Sequence, residues 1–282
     1  MRTWNCGRFR LPIGERTLVM GILNVTPDSF SGDGVLGEQA LDRALQMIED
    51  GADILDIGGE STRPGAVAVS AEEEIQRLLP LVEALNARTH VPLSVDTSKA
   101  EVARRMLDAG AAIINDISAG TFDSAMLPLL GTRDCGVVLM HLRGTPENMA
   151  GNRQPQNDVP DVIAEVIAFW QRRIEAARAA GISDDRLCLD AGFGFGKSVE
   201  ENLALVQRGQ ELSALGFPVL SALSRKSTLG KVLDDAPVEE RLFGTAAATA
   251  LAIHNGAYII RVHDVKEMVQ VARVADAVIG RG

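Results

Sequence analysis

A chain of 282 residues, 46% of them hydrophobic and 23% charged, carries enough apolar material to bury one large core. A formal net charge of -10, with eight Phe, two Trp and one Tyr to stack on bases, argues against nucleic acid as a partner. No apolar run nears the roughly 20 residues that cross a bilayer, and the N-terminus, MRTWNCGRFRLPIGERTLVMG, sets Arg and Glu where a signal peptide keeps its apolar centre, so a cytoplasmic, soluble protein without membrane contact is expected.

The predicted elements alternate from end to end. TLVMGILN (17–24) reads as a strand and EQALDRALQMIEDG (38–51) as a helix with Ala40, Leu41, Ala44, Leu45 and Ile48 on one face. ADILDIG (52–58) is followed by AEEEIQRLLPLVEALNAR, for which Ser70 and Glu73 predict a capping box. PLSVD (92–96) leads to KAEVARRMLDAG, AAIIND (111–116) to a helix near 123–131, and GVVLMH (136–141) to DVIAEVIAFWQRRIEAARAAG. RLCLDAG (186–192) precedes SVEENLALVQRGQEL, FPVLSALS (217–224) precedes VEERLFGTAAATALAIHNG, and AYIIRVHD (257–264) precedes VKEMVQVARVADAVI. The strands are continuous apolar runs, as parallel strands covered on both faces should be. Eight strand-helix units without a linker predict a single (β/α)8 TIM barrel over 17–282, with a doubly wound open sheet as the alternative. Residues 1–16 read as an N-terminal extension, a hairpin at the barrel bottom.

In such a barrel the C-terminal strand ends converge on the mouth that carries chemistry. The polar residues found there are Asn24, Asp56, Asp96, Asn115 with Asp116, His141, Asp190, Ser224 with Arg225 and Lys226, and Arg261 with His263. A lone Asp or Asn after a strand is more often a helix cap, but eight polar ends aimed at one mouth exceed what capping needs. Asp96, Asn115 and Asp190 suit a flat heterocycle that presents N–H donors. Arg63, Lys226, Arg261 and His263 suit phosphate, and the i, i+2 spacing of Arg261 and His263 sends both side chains the same way from one strand.

Two connections are far longer than the usual 4 to 6 residues or so. VTPDSFSGDGVLG (25–37) and GGESTRPGAVAVS (58–70) are rich in Gly, Ser and Pro and read as active-site lids that exclude water from a departing phosphoryl group. GFGFGK (192–197) lacks the GxxxxGK[ST] spacing of a nucleotide P-loop and is rejected as one. Cys6, Cys135 and Cys188 show no CxxC spacing and read as free buried thiols in a reducing compartment.

GILNVTPDSFS (21–31) and DIGGESTRPGA (56–66) resemble the two signature segments of the dihydropteroate synthase family of folate biosynthesis. The likeness runs on through SVDTSK, IINDI, LMH, LDAGFGFGK, SRKS and IIRVHDV, from about residue 17 onward. It implies a (β/α)8 barrel, generally a homodimer, that uses Mg2+. The implied reaction moves a 7,8-dihydropterin-6-ylmethyl group from its diphosphate to 4-aminobenzoate, releasing pyrophosphate by an ionising step. By the same resemblance Asp96, Asn115, Asp190 and Lys226 hold the pterin, with Ile117 and Met140 in the pocket wall. Asn24 contacts Mg2+, while Thr62, Arg63, Arg261 and His263 grip the diphosphate. Phe30, Ser61, Pro64, Phe195 and Ser227 surround the 4-aminobenzoate, as they would a sulfonamide that imitates it.

The chain departs from the family pattern at the order Gly32-Asp33, at Ala191 in place of the usual Pro, and at Ala222 in place of the usual Gly. Two other readings stay open: a pterin-binding barrel of a methyltransferase, and a catalytically degenerate pterin-binding paralogue.

Overall fold

The computed structural model describes residues 2–25, 35–60, 69–145 and 161–282. Strands β1 (Arg2–Cys6) and β2 (Phe9–Ile13) form an antiparallel hairpin. They are followed by β3 (Leu18–Asn24), α1 (Val35–Glu49), β4 (Ile54–Gly58), α2 (Ala71–Arg88), β5 (Leu93–Asp96), α3 (Ala100–Asp108), β6 (Ile113–Asp116) and α4 (Met126–Gly131). The second half holds β7 (Gly136–Met140), α5 (Val162–Ala179), β8 (Leu187–Asp190), α6 (Val199–Gln207), α7 (Gly209–Ser213), β9 (Val219–Ser221), α8 (Ser227–Val232), α9 (Leu242–His254), β10 (Ile259–Val262) and α10 (Val265–Ile279). Strands β3 to β10 pair in parallel and close, β10 against β3, into an eight-stranded barrel. Among the described residues no helix is long and apolar enough to cross a membrane.

The apolar strand runs are explained by two packing layers. Alternate strand residues such as Val19, Leu55, Val95, Ile114 and Leu139 meet the helices outside, while Met20, Ile54, Ile113, Val138, Cys188 and Ile259 fill the interior. Trp4, Cys6 and Ile13 of the hairpin belong to the interior cluster, and the Trp4 indole N–H donates to the Arg186 carbonyl at 2.9 Å. The approach is close enough that a Cβ at Gly136 would lie 2.6 Å from the Cys6 sulfur. Side chains thus plug the lower barrel and leave the mouth for polar groups. Ala222 sits in this interior cluster, so its extra methyl adds to the packed floor.

Several local expectations change. Ser70 caps α2 by accepting from the Glu73 amide at 3.2 Å, but the Glu73 carboxylate turns to Arg77 at 2.5 Å, so only half of the box forms. A full capping box forms instead between Ser198 and Glu201 at the start of α6. The helix expected over 198–212 breaks at Arg208 into α6 and α7, beside Gly209, where a Cβ would stand 2.7 Å from the Asn255 carbonyl of the α9 terminus. The strand expected over 217–224 keeps only Val219–Ser221, and the following segment builds α8 and a 3-10 turn before α9 begins at Leu242.

Candidate active site

Parallel pairing places the polar strand ends in register. Asn24 lies opposite Gly58, Gly58 opposite Asp96, and Asp96 opposite Asn115, forming one row across β3 to β6. Gly58 lies between the Asn24 side-chain oxygen and the Asp96 Cβ, each of which a Cβ there would meet at an ordinary contact distance of 3.6 Å. Met140 lies opposite Asp190 on the far side of the mouth.

One guanidinium ties the row together. Arg261 on β10 reaches across the barrel and donates from Nε to Asp56 at 2.5 Å and from a terminal nitrogen to Asp96 at 2.8 Å. Asn115 donates its amide to the same Asp56 oxygen at 3.1 Å. The remaining oxygens, Asp56 Oδ1 and Asp96 Oδ1, are buried and have no hydrogen-bond partner among the described residues. Burial pushes the Asp96 carboxyl up to about 7 against the pull of Arg261, with the Asp56 charge adding to the rise. Arg261, expected on the phosphate side, thus also stands between two carboxylates. Asp56, noted in the sequence only as a polar strand end, is the buried centre of this cluster.

Asp190 is buried too, and its carboxyl is raised by desolvation although the Gly192 amide donates to it at 2.7 Å. Ile117, Met140 and Phe195 form an apolar wall with Leu142. The Lys226 ammonium lies 4.0 Å from the centre of the Phe195 ring, joining the wall to a cation. Lys226 and the exposed Ser227 head α8. Arg225 before them has φ 59°, in the left-handed region that a residue with a side chain enters only when held there. The Thr245 hydroxyl accepts from its amide at 3.1 Å, its carbonyl accepts from Arg241 at 3.0 Å, and its guanidinium pairs with Asp264.

His263 is not the cation expected of it. Burial, and then the nearby Arg261 and Arg225 charges, press its imidazole down to about 3, so it is neutral; Nδ1 lies 3.0 Å from the Ser224 hydroxyl. Asp116 takes the structural role, accepting from the Ser118 amide and hydroxyl and from the Gly120 amide. His141 is buried and likewise neutral at about 4 through desolvation, with Glu165 3.4 Å away.

The GFGFGK segment wraps the end of β7. Gly192, Gly194 and Gly196 all have φ between 65° and 85°, and a Cβ at Gly192 would lie 1.8 Å from the His141 carbonyl. Its Lys197 amine faces backbone carbonyls, in line with the rejection of a P-loop. Phe30, Ser61, Thr62, Arg63 and Pro64, the Gly32-Asp33 order and most of both long connections lie outside the described residues.

The donors that could meet a hard cation here are few. Asn24 offers one carbonyl oxygen at the mouth, and no group of three His, Cys, Asp or Glu side chains able to hold a metal occurs among the described residues. That donor set fits Mg2+ carried mainly by phosphate oxygens and water, the usual manner of this ion, and does not fit a dedicated protein cage.

A family model described as pterin binding enzyme matches residues 20–263. A dihydropteroate synthase of Synechocystis is 46% identical over 266 residues, covering 94% of this chain and 91% of its own. A Xanthomonas albilineans dihydropteroate synthase with 4-aminobenzoic acid superposes with TM-score 0.86 at 47% identity, covering 94% and 93% of the two chains. The Yersinia pestis dihydropteroate synthase in a sulfonamide drug complex gives TM-score 0.91 at 43% identity over 99% of each.

Proposed function

The chain belongs to the dihydropteroate synthase family of pterin-binding enzymes, and we propose that its barrel mouth moves the 7,8-dihydropterin-6-ylmethyl group from the diphosphate ester to 4-aminobenzoate. The observation that carries this reading is the pair of buried carboxylate oxygens on Asp56 and Asp96 with no described partner. Buried acceptors of this kind are costly until donors arrive, and an amino-pyrimidinone edge supplies adjacent N–H groups. Asp190 and Asn115 extend the acceptor rim, Lys226 supplies a donor, and Ile117, Met140 and Phe195 cover a ring face.

The reaction then follows from charge. C–O cleavage leaves positive charge on the pterin methylene, which the carboxylates of Asp96 and Asp190 stabilise in a site of low polarity. The departing diphosphate is negative, and Arg261, with Arg63 and Thr62 of the second long connection, holds it. An arriving diphosphate also supplies the anion that lets His263 take up a proton. Asn24 would be the protein's contact to Mg2+, which when bound would supply charge neutralisation on the leaving group. The arylamine attacks such a cation without a strong base. Phe30, Ser61, Pro64, Phe195 and Ser227 form its side of the pocket.

The proposal includes a homodimer, supported by Phe243 and Leu251 on α9 and Val274 and Val278 on α10, which are 84%, 56%, 67% and 77% exposed. It includes cytoplasmic residence, supported by three buried cysteines that are all free. Purified protein given Mg2+, dihydropterin diphosphate and 4-aminobenzoate should release pyrophosphate and form 7,8-dihydropteroate. No turnover from folded protein overturns the reading, and pterin binding that survives in that sample identifies a degenerate paralogue. Methyl transfer from methyltetrahydrofolate to a corrinoid would identify the methyltransferase barrel.

A further inference from the structure

Lys197 closes the glycine turn between β8 and α6, and its side chain is only 3% exposed. The ammonium donates to the Gly192 carbonyl at 2.9 Å and to the His141 and Phe195 carbonyls at 3.3 Å each. Three N–H groups thus meet three carbonyls, which fills the donor capacity of a lysine. No carboxylate is among these partners. Asp190, Glu165 and Glu201 support the charge from a distance while Arg143 opposes it, and burial, the largest influence, brings the amine down to about 7.

A buried cation held by neutral carbonyls costs several kcal/mol of desolvation, so a role in packing alone would be served better by Met. What the ammonium joins explains its presence. The Gly192 amide donates to the Asp190 carboxylate at 2.7 Å, and the Phe195 ring lies against the Lys226 ammonium at 4.0 Å. The Gly194 amide donates to Asn202 at 2.6 Å, and Asn202 donates onward to Thr228 of α8 at 3.1 Å. The turn therefore touches both Asp190 and the Phe195 and Lys226 pair at the mouth.

We infer that Lys197 is a positioning residue of the transfer site, its ammonium pinning the His141, Gly192 and Phe195 carbonyls so that Asp190 and the Phe195 wall keep their spacing. The inference rests on the reading of the mouth as the transferase site. Lys197 touches no reacting atom; it acts through the turn. A displacement of about 1 Å in such a group is enough to cost roughly 100-fold in rate.

The test compares wild type with Lys197→Met, which keeps the length and removes all donors, and with Lys197→Gln, which keeps two donors on a shorter arm. Steady-state constants for both substrates are read at 25 °C beside the thermal midpoint of each protein. A folded Met variant should lose about 10- to 100-fold in kcat/KM, through a lower kcat as well as a higher KM, with Gln intermediate. A purely structural lysine would lower the midpoint and leave both constants within two-fold of wild type, and that result overturns the inference. Failure of both variants to fold overturns it as well. Calorimetry with 7,8-dihydropteroate repeats the comparison without turnover, so an inactive wild type refutes the reaction while a variant affinity at least ten-fold weaker still supports the pinning role.

Discussion

Replacing Arg261 by Met tests the carboxylate cluster most directly. The substitution keeps most of the side-chain volume and removes the one cation that, among the described residues, donates to both Asp56 and Asp96. Two buried carboxylates would then face each other across β4 and β5, with the Asn115 amide left as the donor to Asp56. Removing one partner of a buried ion pair costs about 3–5 kcal/mol when the orphaned charge persists. Asp96 has an escape, because its carboxyl already sits at about 7 and can take up a proton. An acid whose folded value is raised above its unfolded one near 4 loses stability as pH rises through that window. Loss of the guanidinium extends the window upward, and each further tenfold gain in proton affinity is worth about 1.4 kcal/mol. Arg261→Met should therefore cost about 3 kcal/mol at pH 6, where Asp56 loses its ion pair while Asp96 is protonated, and more at pH 8.5, where Asp96 is orphaned as well. Denaturant unfolding at the two pH values reads this, and adding Asp96→Asn should remove most of the pH dependence. Equal destabilisation at both pH values, or a double variant with the same slope as the single one, would refute the cluster. The same variant should weaken binding of a bare pterin as well as of its diphosphate, because Asp96 loses its fixed partner.

Lys99→Met should cost about 3 kcal/mol at pH 7.5 and less at pH 5. It strips the fully buried Glu74 of its 2.6 Å pair, and Glu74, already raised by desolvation, can be protonated at the lower pH; a pH-independent loss in denaturant melts would contradict this. The neutral His141 should make the fold sensitive to acid, since a histidine pressed down to about 4 contributes stability above its ordinary 6.5 and loses it as pH falls between the two. That contribution amounts to about 3 kcal/mol, and His141→Asn should show a shallower loss between pH 6.5 and 4 than wild type; parallel curves would count against it.

The barrel was readable because parallel strands must be apolar on both faces and must end in polar residues at the mouth, and the chain shows that pattern eight times. The elements that misled depend on distant contacts. Gly209 beside the break at Arg208 is only a weak local signal, and its close approach to Asn255, 46 residues away in the chain, cannot be read from the sequence. Glu73 matches a capping box in spacing, yet Arg77 one turn on competes for the same carboxylate. Site residues were legible as types and illegible as partners. Arg261 and Asp56 are 205 residues apart, and only closure of β10 onto β3 shows that a residue suited to phosphate is bound to carboxylates. Residue type likewise made His263 a cation, and burial beside two guanidinium groups made it neutral. Lys197 stays hidden inside its glycine motif, because a failed P-loop pattern says nothing about where the amine goes.

The placement of Arg261 between carboxylates also bears on the ionising route proposed for the mouth. Arg261 and Lys226 do not offset the burial of Asp96, and Asp190 stays raised although Lys226, Arg261 and Lys197 act on it, so the cluster favours further positive charge. In the free chain the excess is relieved by a proton, which the value of about 7 at Asp96 expresses. A pterin whose methylene becomes cationic offers the same relief without that proton, and it does so only as the C–O bond breaks. On the proposed route the stabilisation would therefore grow along the reaction coordinate, which is the condition for lowering a barrier and not merely for binding. A pocket built for pterin affinity alone could have paired each carboxylate with its own guanidinium. On the proposed route, the carboxyl cluster at the heterocycle end and the cations proposed for the diphosphate end, Arg63 and His263, would give the site the polarity that heterolysis needs.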